Sequence, residues 1–188
     1  MKEYKFYGVD FKTELKLGII VGLIFIILWP AFIFFYYKLS GLEYLRWLPK
    51  SVFFGAMFFS LAISLTSLFF LGKRFKQLWG IDVINNSLVL KKNELQNIII
   101  KISEIKDIMF VANKEMRYLR IRTFIKKKYK IRVSTSPLAP FSTSKDLSII
   151  DRKIVDIEKE LKKYNFHFQK GNNQNKIYAY LFTNNDIL

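Results

Sequence analysis

Residues 17–37 read LGIIVGLIFIILWPAFIFFYY, and residues 51–72 read SVFFGAMFFSLAISLTSLFFLG. Neither run contains Asp, Glu, Lys or Arg, and the two are bounded by Lys16 and Lys38 and by Lys50 and Lys73. As helices rising about 1.5 Å per residue, each covers roughly 30 Å, the thickness of a bilayer's hydrocarbon layer. The reading is therefore a transmembrane helical hairpin over 17–72, with helices 17–37 and 51–72 joined by a short linker, 38–50. A cleaved signal sequence fits less well, because its apolar region is usually about 7–15 residues and ends in small residues. Here the first run closes on Phe32, Ile33, Phe34, Phe35, Tyr36 and Tyr37.

Outward from these runs, Tyr36, Tyr37, Tyr44 and Trp47 are placed for an aromatic belt at one interface, with Phe75 and Trp79 at the other. Residues 1–16 form a short arm with four lysines, and Lys73, Arg74, Lys76, Lys91 and Lys92 follow the second run. The linker carries Lys38, Arg46 and Lys50. That bias puts both termini in the cytoplasm of a multi-pass protein of the cell's inner membrane. Within the runs, Gly18 and Gly22 form a G-x-x-x-G pair, and Ala56, Ser60 and Ser64 form a small-residue stripe at a spacing of four. Small residues allow close helix approach in lipid. They serve packing within the hairpin or, alternatively, a homo-oligomer or a membrane protein partner. Pro30 should bend the first helix. Neither run holds an ionisable group for a proton relay.

Beyond residue 72 the periodicity changes. Ile81, Val83, Leu88 and Leu90 alternate with polar residues around Asn85-Asn86, the signature of a tight hairpin. Ile98, Ile100 and Ile102 continue the alternation, Ile105–Val111 is a further apolar run, and 117–125 with 129–133 make another hairpin. About six strands are expected, in a small antiparallel barrel or sandwich. After Pro137 and Pro140, Leu147, Ile150, Ile154, Ile157, Leu161 and Tyr164 recur at intervals of three and four, predicting an amphipathic helix over 145–164 that packs on the sheet. Residues 169–188 form an Asn-rich tail with a candidate last strand at 177–182. The fold class is thus membrane-anchored α+β.

This order resembles the bacterial membrane proteins with a pleckstrin-homology-like (PH-like) domain, in which a helix pair anchors a small β-barrel closed by a C-terminal helix. Gly80-Ile-Asp-Val-Ile-Asn-Asn-Ser-Leu-Val-Leu90 is similar to that family's opening hairpin. Ile98–Ile108, ending Ser103-Glu104-Ile105-Lys106-Asp107-Ile108, is similar to the strand that follows. Phe141 and helix 145–164 would cap the barrel. The resemblance covers residues 16–164 and implies a PH-like β domain over 73–168 acting as an interaction module. Inositide binding by PH domains uses basic residues at the first hairpin loop. Here that loop is Asn85-Asn86-Ser87, which lacks them.

The 188-residue chain carries a net charge of +16 with 51% hydrophobic residues. The charge lies mostly beyond the apolar runs, where 24 Lys and Arg face 11 acids over residues 73–188. Every charged residue from Arg117 to Arg132 is basic: Arg117, Arg120, Arg122, Lys126, Lys127, Lys128, Lys130 and Arg132. If Leu119 and Ile121 point inward with Tyr129, Ile131 and Val133, strand alternation sends Arg120, Arg122, Lys128, Lys130 and Arg132 to the other face. Such a face beside a bilayer attracts anionic lipid headgroups. Nucleic acid would also be attracted, but no recognition motif accompanies the patch and none is expected as partner. Part of the excess is compositional, since Lys outnumbers Arg 24 to 7.

Catalysis is not expected. There is no Cys and a single His, His167, between Phe166 and Phe168. No phosphate loop, nucleophile elbow or metal-ligand cluster is present, so no metal or cofactor is expected. Glu158 and Glu160 sit among lysines, and Asp82, Glu104 and Asp107 are scattered on strands. The functional expectation is a membrane-anchored accessory protein whose basic domain binds a partner protein or an anionic lipid surface. The alternative is a bacteriocin-type immunity or resistance protein.

Overall fold

The computed structural model describes residues 5–41, 47–137, 139–164, 166–173 and 177–184. Tyr44 and Arg46, assigned above to the linker's aromatic belt and charge count, lie outside the described residues, as do 174–176 and 185–188 of the tail.

The described residues form two long N-terminal helices, one antiparallel sheet and a third, shorter helix. Strand β1 (Lys5–Asp10) leads directly into helix α1 (Phe11–Ser40), and α2 (Lys50–Phe75) runs back beside it. Strands β2 (Gln77–Ile84), β3 (Ser87–Lys92) and β4 (Gln96–Lys101) follow as one meander, and β5 (Ile105–Ala112), β6 (Met116–Thr123) and β7 (Lys128–Ser134) as a second. Helix α3 (Ser144–Leu161) precedes β8 (Phe166–Asn173) and β9 (Ile177–Asn184). Both N-terminal helices are long and apolar enough to cross a membrane. α1 begins six residues ahead of the uncharged run because Asp10 caps it, accepting from the Thr13 N–H at 2.9 Å, and it continues through Pro30 to a left-handed Gly41.

The helices touch through the small-residue stripe. Ala56, Ser60 and Ser64 are buried, and the two hydroxyls donate to the carbonyls of Ala56 and Ser60, each at 2.7 Å. These back-bonds satisfy the serines within their own helix, so small side chains face the partner without stranding a polar group. Gly18 and Gly22 lie elsewhere, with nothing within 4 Å of the position a Cβ would take.

The sheet is a single open one of nine strands, in the order β4-β3-β2-β1-β7-β6-β5-β9-β8. It replaces the expected six-stranded barrel or sandwich. Three strands were not read from the pattern or only partly so: β1 in the supposed arm, and β8 and β9 in the tail. β1 is the hinge of the sheet. Its Lys5–Gly8 half pairs with β2, and Val9–Asp10 pair with β7. Gly8 is required there, because a Cβ would stand 2.9 Å from the Arg132 carbonyl oxygen. Asn85 and Asn86 both have positive φ, as a two-residue hairpin turn matched to strand twist demands.

Both halves of the sheet share one core with α3, including Phe6, Ile81, Leu90, Ile108, Phe110, Leu119, Ile131, Ile150, Ile154 and Phe182. Trp79 is buried in this core and does not belong to an interfacial belt. The start of α3 is fixed by a capping box between Thr143 and Asp146. Asp146 is buried and also accepts the Tyr7 N–H at 2.9 Å, tying α3 to β1.

Candidate functional site

The register of β6 on β7 sets the basic face. Arg120 lies opposite Lys130, Arg122 opposite Lys128, and Leu119 opposite Ile131. Leu119, Ile121, Ile131 and Val133 are buried, so Arg120, Arg122, Lys128, Lys130 and Arg132 share the other face, as alternation requires. Arg117 does not join them. It has the parity of Leu119 and reaches α3, where Nε donates to Asp151 Oδ1 at 2.6 Å and a second guanidinium nitrogen to Oδ2 at 2.8 Å.

The fold brings acids to this face that the 117–132 segment lacks. Asp107 on β5, 2% exposed, accepts from Arg122 Nε at 2.6 and 2.9 Å and stands 3.9 Å from Arg120. Glu14 on the first turns of α1 pairs with Arg132. Those three arginines are therefore held in ion pairs. Among the described residues, Lys126, Lys127, Lys128 and Lys130 have no carboxylate partner. Lys126 takes a positive φ at the β6–β7 turn, which is closed by the Lys126 N–H on the Thr123 carbonyl at 3.1 Å. Lys130 Nζ lies 4.3 Å from the ring centre of Phe11. Phe124 and Ile125 project beside them, and Ile125 is 63% exposed.

The two long helices leave the sheet on this same face. Val9 pairs with Arg132, so their side chains share a side of the sheet. Val9 is buried with Leu17 of α1 and with Ala139 and Phe141, and Leu68, Leu71 and Phe75 pack against them. Gln77 on β2 donates to Thr13 at 2.7 Å. The start of α1 and the end of α2 are thus pinned to the domain by an apolar plug, beside which Lys16 Nζ lies 5.6 Å from the ring centre of Phe75 and Lys76 Nζ 4.1 Å from that of Tyr7.

Where β1 ends at Asp10, β2–β4 and β7 part and leave a cleft of about 560 Å³. Trp79, Leu90, Ile98, Tyr129 and Ile131 form its apolar lining, and Lys12, Lys92, Lys127, Lys128 and Lys130 its basic rim. Asp10 is the acid at the rim. Burial opposes its ionisation, but hydrogen bonds from Lys92 (2.8 Å) and Thr13 outweigh burial and hold the carboxyl below its usual range. The indole N–H of Trp79 is buried with no acceptor among the described residues.

The carboxylates considered above are mostly paired. Asp82 accepts from Lys153 at 2.6 Å, Glu158 pairs with Lys162, and Glu160 with Lys163. His167 is exposed on β8. Among the described residues, no three His, Asp or Glu side chains are grouped to hold a metal ion. The sequence reading missed the roles of Asp10, Glu14 and Asp107, since no local pattern announces which distant strand or helix will face a given arginine. No family model matches the chain, and no curated protein or solved structure matches it.

Proposed function

We propose that α1 and α2 anchor the protein in a bilayer and that the β domain, a PH-like module without catalytic function, docks its basic face on the anionic cytoplasmic leaflet. The anchor reading is supported by the outward side chains of the helix pair, such as Ile26, Ile27, Phe58, Phe59 and Phe70, each more than 60% exposed. Water does not tolerate an apolar surface of that extent. The Lys/Arg bias favours the arrangement in which both termini lie in the cytoplasm.

The observation that carries docking is the exit of the helix pair from the face that bears the basic residues. A helix entering the bilayer at Leu17 turns that face toward the lipid headgroups. Each exposed lysine near an anionic surface contributes about 1 kcal/mol, so Lys126, Lys127, Lys128 and Lys130 together would hold the domain against it. The ion-paired arginines contribute less, their charge being spent within the protein.

The chain has no Cys, so Ile125→Cys provides a unique labelling site at the β6–β7 turn. In nanodiscs containing phosphatidylglycerol, an environment-sensitive dye there should shift to the blue. Its quenching by iodide should fall about twofold relative to phosphatidylcholine discs, and 0.5 M salt should erase the difference. Replacing the four lysines by Ser should do the same. An identical signal in both lipids would refute docking.

A further inference from the structure

We propose that the cleft at the end of β1 is a binding site for one anionic phospholipid, its phosphate on the lysine rim and its glycerol-ester region on the apolar lining. This rests on the reading that α1 enters a bilayer, but it concerns a discrete site rather than a charged surface. Three observations carry it.

The first is depth. Phe11 and Lys12 line the cleft, and the uncharged run of α1 begins at Leu17. Five residues of helix place the rim about 7.5 Å from that boundary. The headgroup layer on each side of the hydrocarbon is roughly 5–8 Å thick. A lipid of the facing leaflet therefore has its phosphate at the level of the rim.

The second is charge. Lys92 is engaged by Asp10, so the one rim carboxylate is already neutralised. Among the described residues, Lys12, Lys127, Lys128 and Lys130 have no carboxylate partner, and they line one opening from α1, the β6–β7 turn and β7. A phosphodiester supplies the missing anion and accepts several ammonium donors at once.

The third is shape and polarity. The volume of about 560 Å³ falls among small-molecule sites, roughly 300–1,000 Å³. Its lining is continuous with the domain core through Trp79, Leu90 and Ile131. A free inorganic phosphate would leave that apolar lining bare, whereas the glycerol-ester part of a lipid covers it.

The test uses the full chain in mild nonionic detergent, supplied with equal amounts of phosphatidylglycerol and phosphatidylcholine and observed by native mass spectrometry. The expected result is one phosphatidylglycerol per chain, with phosphatidylcholine retained at least about tenfold less. Inorganic phosphate and glycerol 3-phosphate at millimolar levels should not displace it. Gln96→Trp fills the mouth of the cleft, and Lys12→Ser with Lys127→Ser removes two exposed rim charges without touching the core. Each should lower the bound fraction about tenfold. Equal retention of both lipids, displacement by inorganic phosphate, or an adduct unchanged by both variants would overturn the site. Gln96→Trp leaves the β6–β7 lysines intact, so the Ile125→Cys dye response should persist in it. In the natural chain, a dye response without the adduct tells against the cleft, and an adduct without the dye response tells against docking.

Discussion

Arg122 and Lys126 are four positions apart on one hairpin, both basic, and the fold uses them in opposite ways. Arg122 holds the buried Asp107 carboxylate at 2.6 Å, and Lys126 reaches into solvent. Removing one partner of a buried pair costs up to about 3–5 kcal/mol. Arg122→Ser should fall below that range, at about 2–3 kcal/mol, because that guanidinium is partly exposed and Arg120 remains near Asp107. Lys126→Ser should change stability by less than about 0.5 kcal/mol. Thermal unfolding of the two variants separates a structural arginine from a lysine available to a ligand. Asp10 supplies a pH test. Its carboxyl titrates lower in the folded protein than in the unfolded chain, so its ionisation stabilises the fold at pH above the unfolded value. That stability is lost as pH falls through the folded value. Asp10→Asn keeps a capping oxygen but loses the Lys92 pair. It should therefore be less stable than the natural chain at pH 7, with the gap closing once pH drops well below about 4.

Among elements, β1 has the largest consequence for its size. Six residues close the gap between β2 and β7, contribute Phe6 to the core and receive the Asp146 carboxylate from α3. A fragment beginning at residue 73 lacks this strand from the middle of its sheet, leaving two internal edges unpaired and a hole at Phe6. It should show no cooperative unfolding transition. Gly8 lies opposite Gln77, so the two helices are inserted between strands whose ends are neighbours. Residues 1–10 joined by a short Gly-Ser turn to residues 77–188 should therefore fold as a water-soluble domain. A sigmoidal denaturant transition for the joined protein, and none for the fragment, is the expected pair of outcomes. α3 shows how far local pattern reaches. Its apolar positions at intervals of three and four predicted both the helix and its buried face, with Leu147, Ile150, Ile154, Ile157 and Leu161 all buried.

At the scale of the whole molecule, charge and apolar surface are sorted by distance from the uncharged runs. Outward-facing Phe and Ile cover the helix pair, Lys16 and Lys76 stand at its junction with the sheet, and the basic hairpin lies on the face from which the pair leaves. The sequence by itself determined the two long helices, the Asn85-Asn86 turn, α3 and the charged side of the β6–β7 hairpin. These depend on periodicity and on residues close in the chain. It was silent on β1, whose pattern is too short to distinguish from an arm and whose two partners lie far along the chain. It misplaced Trp79 at a membrane interface, because hydropathy does not say whether an aromatic residue beside a span meets lipid or a protein core. It also counted Arg117, Arg120, Arg122 and Arg132 as available charge. Only the tertiary structure decided otherwise, by bringing Asp151, Asp107 and Glu14 to them. The exit of the helices from the basic face and the cleft at the end of β1 were decided there too. Both arise from strand register between segments more than a hundred residues apart, and register is set by how a whole sheet buries its core.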